Sequence, residues 1–245
     1  MENRDKLIVA LDYDNLDSVK RLLEILKREA VFYKIGLELF TSVGAKAVEF
    51  VKNEGHKVFL DLKFHDIPNT VYGAVKSAGM LGVDMLNVHA SGGVEMMKAA
   101  RKGADEASAV TGKSLDVIAV TILTSLEDKD LRNIFPGRGT GAKKLVIHLA
   151  GLAKGSGLDG VVCSGHESAG IKKETGNSFK TVVPGIRLSA GHGGAPSKSA
   201  GDQKRIMTPG EAFEAGADYI VVGREITGAA DPLEALHKIY KNIEK

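Results

Sequence analysis

The amino-acid sequence predicts an α/β protein: eight parallel strands alternating with helices and closed into one (β/α)8 barrel, a single domain over residues 1–245. Three observations predict it. Short apolar runs recur eight times, each ending in polar residues or glycine, with stretches of helical period between them. That order implies parallel strands joined by right-handed crossovers. The first run is followed by Asp12-Tyr13-Asp14-Asn15, where an open doubly wound sheet usually carries Gly-x-Gly-x-x-Gly. The length suits one TIM barrel, and no Pro-rich or Ser-rich linker separates two apolar halves.

Taken in order, the first strand is Leu7-Ile8-Val9-Ala10-Leu11, stopped by Asp12. Leu16, Val19, Leu23 and Leu26 then form one apolar stripe, the mark of a helix packed on a sheet. The second strand runs from Phe32 to Leu37, the third from Val58 to Lys63, the fourth from Met85 to His89 and the fifth from Val117 to Thr124. Gly137 to Lys144 is similar to a nucleoside-triphosphate loop, but Ala142 replaces its second glycine and Lys144 its Ser or Thr. It is read as a loop leading into a helix with Leu145 and Ile147. The sixth strand, Gly160 to Ser164, holds Cys163, the single cysteine, read as a small buried residue without a disulfide partner. Thr181 to Arg187 and Tyr219 to Arg224 complete the eight. The closing helix has Asp231 as N-cap, Pro232 in its first turn and a stripe of Leu233, Leu236, Ile239 and Tyr240.

Composition narrows the function. With 33 basic and 31 acidic residues evenly scattered, a net charge of +2 gives no basic face for nucleic acid. The first apolar run is too short for a signal-peptide core or a membrane span, so a cytoplasmic protein without a membrane partner is expected. The seven histidines are dispersed with no paired ligands at zinc spacing, and no metal is expected.

The third strand carries the chemistry. Alternation turns Leu60, Leu62 and Phe64 to one face and Asp61, Lys63 and His65 to the other. With both faces covered, Asp61 and Lys63 are buried together. Desolvation costs several kcal/mol per charge, which mutual attraction often fails to recover, so the pair points to a role beyond stability. Reacting groups in such barrels gather at the C-terminal ends of the strands. Asp12, Lys34, Asp61, Lys63, His89, Thr124, Arg187 and Arg224 all fall at or near those ends.

Asp61-Leu62-Lys63-Phe64-His65-Asp66, continuing into Ile67-Pro68-Asn69-Thr70, matches the Asp-x-Lys-x-x-Asp signature of a known family. With Asp12, Tyr33-Lys34-Ile35-Gly36, Thr124-Ser125, Pro184-Gly185-Ile186-Arg187 and Val222-Gly223-Arg224, the chain from Leu7 to Arg224 resembles the orotidine 5'-monophosphate decarboxylases. The resemblance implies conversion of orotidine monophosphate to uridine monophosphate in pyrimidine biosynthesis, with no metal and no organic cofactor. Lys63 would donate a proton to the carbanion-like ring carbon, with Asp61 and Asp66 flanking it. Lys34 would pair with Asp61 and reach the ribose, as would Asp12. Thr124 and Ser125 would hold the pyrimidine. Arg187, Arg224 and Gln203 would hold the phosphate under a lid running from Leu188 to Gln203, with Gly223 letting the backbone approach. Asp66 and Thr70 would enter the site of the neighbouring subunit, which implies a homodimer. His89 is expected either to line the site or to be a hydrogen-bonded barrel residue, with no catalytic role. Two rivals differ in testable ways. A magnesium-dependent sugar-phosphate decarboxylase or aldolase of the same superfamily would lose activity to a chelator, and a non-catalytic phosphate-ligand binder would not need Lys63.

Overall fold

The computed structural model describes residues 3–134, 141–188 and 206–243. Eight parallel strands close in sequence order, and β1 pairs with β8. They are β1 (Leu7–Leu11), β2 (Phe32–Gly36), β3 (Lys57–Phe64), β4 (Met85–His89), β5 (Asp116–Val120), β6 (Gly160–Val162), β7 (Lys180–Val183) and β8 (Tyr219–Val222). The barrel interior is filled by alternate side chains, among them Ile8, Phe32, Phe59, Met85, Ile118 and Val182, as expected for a packed barrel rather than a pore. The other strand face, with Leu7, Val9, Leu60, Leu86 and Val88, packs under the helices.

The apolar stripes predict their helices well. Leu16–Leu26 buries Val19, Leu22, Leu23 and Leu26 and is capped by the Asn15 side chain accepting from the Ser18 amide. Asp231 caps Pro232–Ile243 by accepting from the Glu234 amide at 2.9 Å. The helix after the triphosphate-like loop spans Ala142–Gly155. Cys163 is fully buried in the outer core. Between β2 and β3 the chain makes two helices, Leu37–Val43 and Ala45–Asn53, broken at Gly44 where φ is +70°. Glycine reaches that conformation without a Cβ penalty.

The second, sixth and eighth predicted strands overrun by one or two residues, and the fifth and seventh by four. The fifth ends at Val120, four residues before Thr124: Thr121 bonds the Val162 carbonyl through its amide and its hydroxyl, and the chain then leaves the ladder. The seventh ends at Val183, where Pro184 has no amide to give the ladder, although Ile186 rejoins through a single bridge to Met207.

The N-terminal rim of the barrel is clipped by a device that recurs on alternate strands. Asp84, Asp159 and Asp218 stand immediately before β4, β6 and β8. Each Oδ2 accepts from the second amide of the preceding strand at 2.7 Å, from Val58, Val117 and Thr181 respectively. Each also meets a cation from a helix at 2.6 Å: Lys52, Arg101 and Lys172. These clips tie helix to strand at the end remote from the C-terminal loops.

Candidate active site

A cavity of about 310 Å³ opens at the C-terminal rim. Asp12, Lys34, Asp61, Lys63, Thr124, Ser125, Arg187, Gly223 and Arg224, all singled out from the sequence, line it together. Its remaining wall is apolar and includes Phe59, Val120, Ile122, Leu123 and Ile186. Strand register sets the charged side. Ala10 is opposite Lys34 and Gly36 is opposite Asp61, so the inward residues of three adjacent strands converge just above the packed interior.

Four of these groups form a continuous row of alternating charge. Lys34 Nζ donates to Asp12 Oδ1 at 3.1 Å and lies 3.3 Å from Asp61 Oδ2, while Lys63 Nζ donates to Asp61 Oδ1 at 2.6 Å. The inner members are the most enclosed, with Lys34 12% and Asp61 13% exposed against 50% for Asp12. Burial raises the Asp61 carboxyl pKa, but Lys34, Lys63 and the hydrogen bonds from Lys63 and Asn87 outweigh it, leaving the pKa below the usual range. Burial likewise lowers the Lys34 ammonium, and Asp61 and Asp12 outweigh it, leaving its pKa above the usual lysine value. Both groups are therefore charged at neutral pH.

Lys63 has φ of +54°, in the left-handed region that a side chain rarely adopts. The register between β3 and β4 shifts over the same stretch, between Leu60 and Phe64. Such irregularities re-aim a side chain at the end of a strand. Here the Lys63 ammonium is turned onto Asp61 at the cavity wall. Gly223 brings backbone close: a Cβ there would come within 3.3 Å of Asp12 Oδ2.

The cationic side of the cavity comes from the seventh and eighth strand ends. Arg187 follows the turn at Pro184-Gly185, with Nε 3.6 Å from Glu225 Oε1, and Arg224 opens the short helix Arg224–Thr227. Guanidinium groups at such a mouth suit an anion, which they bind through charge-assisted hydrogen bonds.

Some predicted residues lie elsewhere. Asp66 and Thr70 are exposed and absent from the cavity lining of their own chain. Asp66 accepts from the Ile67 amide at 2.6 Å, and Ile67 occupies the N-cap of the helix Pro68–Met80. Gln203 falls outside the described residues, as does the proposed lid beyond Leu188. His89 does not line the cavity; its ring lies against His65 with centroids 5.4 Å apart. Burial, then His65 and Lys63, push the His89 pKa below the usual histidine value. Among the described residues, no three His, Cys, Asp or Glu side chains are grouped to hold a metal, and no helix is long and apolar enough to cross a membrane.

Two contributions escaped the sequence reading. One is the apolar wall from Ile122 and Leu123. The other is Asn87, fully buried on β4, whose amide donates to Asp61 and whose carbonyl accepts from the Lys63 backbone. Its signal was a lone polar residue at an inward position of the apolar run Met85 to Val88.

A family model described as orotidine 5'-phosphate decarboxylase / HUMPS matches residues 5–239. The chain belongs to this family. Relatives carrying the first of those names include one from Streptococcus mutans, 49% identical over 234 residues and 95% of both chains. Another, from Idiomarina loihiensis, is 49% identical over 239 residues and 97% of both. Among solved structures, the chain resembles orotidine 5'-phosphate decarboxylase from Lactobacillus acidophilus, with TM-score 0.81 and 38% identity over 98% of this chain and 99% of that one. An uncharacterized conserved protein from Geobacillus kaustophilus aligns with TM-score 0.82 and 41% identity over 97% and 99%. In this orotidine 5'-phosphate decarboxylase family barrel, the row of alternating charge starts just after β1 and continues on β2 and β3, and the arginines follow β7 and β8.

Proposed function

We propose that the protein removes carbon dioxide from orotidine 5'-monophosphate to give uridine 5'-monophosphate, with residues 1–245 acting as one catalytic unit in the cytoplasm. The observation that carries this reading is the Lys63 ammonium, fixed at 2.6 Å by a largely enclosed carboxylate on the wall of a cavity whose far side is lined by two arginines. In the reaction, the bond from the ring carbon to the substrate carboxylate breaks and its electron pair stays on that carbon. Lys63 stabilises the developing negative charge and then transfers an Nζ proton to it, so that the product keeps a carbon–hydrogen bond. Asp61 keeps Lys63 oriented through the 2.6 Å contact. Lys34 and Asp12 take the ribose hydroxyls, Thr124 and Ser125 the pyrimidine edge, and Arg187, Arg224 and the Gly223 backbone the phosphate. Binding the phosphate far from the reacting carbon supplies energy that positions the ring, and positioning is where much of the rate resides.

Asp66 and Thr70 are assigned to the cavity of a second subunit in a homodimer. In support, both are exposed and outside their own cavity, and Ile67 between them is 68% exposed, an apolar side chain suited to being covered. The experiment is complementation. Lys63→Ala and Asp66→Ala proteins, each inactive, should regain activity when mixed, because one site of a mixed dimer then holds both groups. No recovery after verified subunit exchange would remove the shared site.

A further inference from the structure

The structure assigns Asn87 a positioning role: its side-chain amide sets both the carboxylate and the backbone that aim Lys63. The inference rests on the proposed role of Lys63 as proton donor. Asn87 is fully buried and does not line the cavity, so it acts through its neighbours. Its Oδ1 accepts from the Lys63 backbone amide at 2.8 Å and its Nδ2 donates to Asp61 Oδ1 at 2.7 Å. Asp61 Oδ1 is also the atom that receives the Lys63 ammonium. One carboxamide therefore holds both ends of the unit.

The reason lies in the backbone. Where β3 slips out of register with β4, the Lys63 amide takes the Asn87 side-chain oxygen as its acceptor. A left-handed residue other than glycine is strained and persists only where its surroundings fix it. Without Asn87 the Lys63 amide would be left unsatisfied in a partly buried strand, and φ would relax to negative values. The ammonium would then swing away from the position that β3 gives it. A buried polar side chain in an apolar layer is costly unless fully bonded, and the two bonds named here are what Asn87 gains.

The charged and titratable groups around this position are Asp61 and Lys63 from β3, with Lys34 on the other oxygen of Asp61, and His89 two residues along β4, which interacts with Asp61, Lys63 and the ring of His65. The wild-type profile over the same pH range carries the His89 contribution. On β5, Ile118 registers with Asn87 and adds no charge. Replacing the amide by an isosteric carboxyl in Asn87→Asp therefore opposes two carboxyl groups, which share a proton at low pH and repel once it is lost. When protonated, the new carboxyl donates to Asp61 as the amide does.

The test compares the wild type with Asn87→Asp, Asn87→Ala and Lys63→Ala. Asn87→Ala should lower kcat about 10- to 100-fold with KM changed less than about threefold, the scale of a misplaced catalytic group. Asn87→Asp should regain turnover as the pH is lowered from 8 to 5, relative to the wild type over the same range. Should Asn87→Ala not fold, Asn87→Asp decides, and in the wild type the Lys63 amide should exchange slowly with solvent. A kcat within twofold of wild type in Asn87→Ala, a wild-type pH profile in Asn87→Asp, or fast exchange at Lys63 would each overturn the assignment. Lys63→Ala separates the two readings. If it abolishes turnover while the Asn87 variants remain active, only the positioning role fails; if it retains turnover, the proton-donor reading fails first.

Discussion

Gly36→Ala isolates the placement of a single ammonium. Gly36 ends β2 in an extended conformation, φ −93° and ψ −174°, which alanine adopts without strain. A Cβ there would sit 2.9 Å from Lys34 Nζ and 3.7 Å from Asp12 Oδ1. Ordinary contact requires the ammonium to retreat by about half an ångström, and as the end of a flexible side chain it does so without disturbing the strand. Its two carboxylate contacts, at 3.1 and 3.3 Å, have little length to spare. A misplacement of about 1 Å costs on the order of 100-fold in rate, so half of that predicts roughly tenfold. Stability should change by less than about 1 kcal/mol, since the restriction of the unfolded chain by alanine is offset by the poorer N-cap it gives the helix Leu37–Val43 and by the displaced Lys34 pairs. Steady-state kinetics with orotidine monophosphate and a thermal melt give the two readouts, and a crystal structure locates Nζ. Wild-type kcat/KM in a variant whose Lys34 has moved would refute the role given to that lysine, and an unmoved Lys34 would refute the contact.

Two further predictions concern stability. Asp218→Ala should cost about 2–3 kcal/mol in urea unfolding, since it leaves the Thr181 amide and the largely buried Lys172 without their shared acceptor; turnover at 25 °C should stay near wild type because the clip lies on the rim opposite the cavity. The depressed Asp61 carboxyl contributes stability that is present above the unfolded carboxylate range, near pH ~4, and is lost as pH falls through its lower folded value. Asp61→Asn should remove that acid-limb dependence, and an unchanged stability profile below pH 4 would contradict the pairing.

The eight strands were legible because each apolar run is short and bounded, and alternation turned Asp61 and Lys63 to the cavity, whereas His65, expected on the same face, lies past the end of β3 and is exposed outside the cavity lining. The overruns at β5 and β7 have one cause. Ile122, Leu123 and Ile186 continue the apolar pattern but line the cavity, and a periodicity cannot distinguish a sheet from the wall of a pocket. Charged residues at strand ends stood out against apolar runs, so most of the cavity was readable. Asn87 was not, because its importance comes from the register slip between β3 and β4 and the left-handed backbone at Lys63. The Asp84, Asp159 and Asp218 clips were equally hidden, since each depends on which amide of the neighbouring strand the closed barrel brings to it.

The proposed reaction has an ammonium on β3 protonate, without metal help, the carbon that loses its carboxylate. It is tested most directly by turnover of orotidine monophosphate in excess chelator, for the wild type and for Lys63→Ala side by side. The wild type should turn over fully, and the Lys63→Ala protein should still bind uridine monophosphate but no longer release carbon dioxide. Loss of wild-type activity on chelation, or near-normal turnover without Lys63, would contradict it.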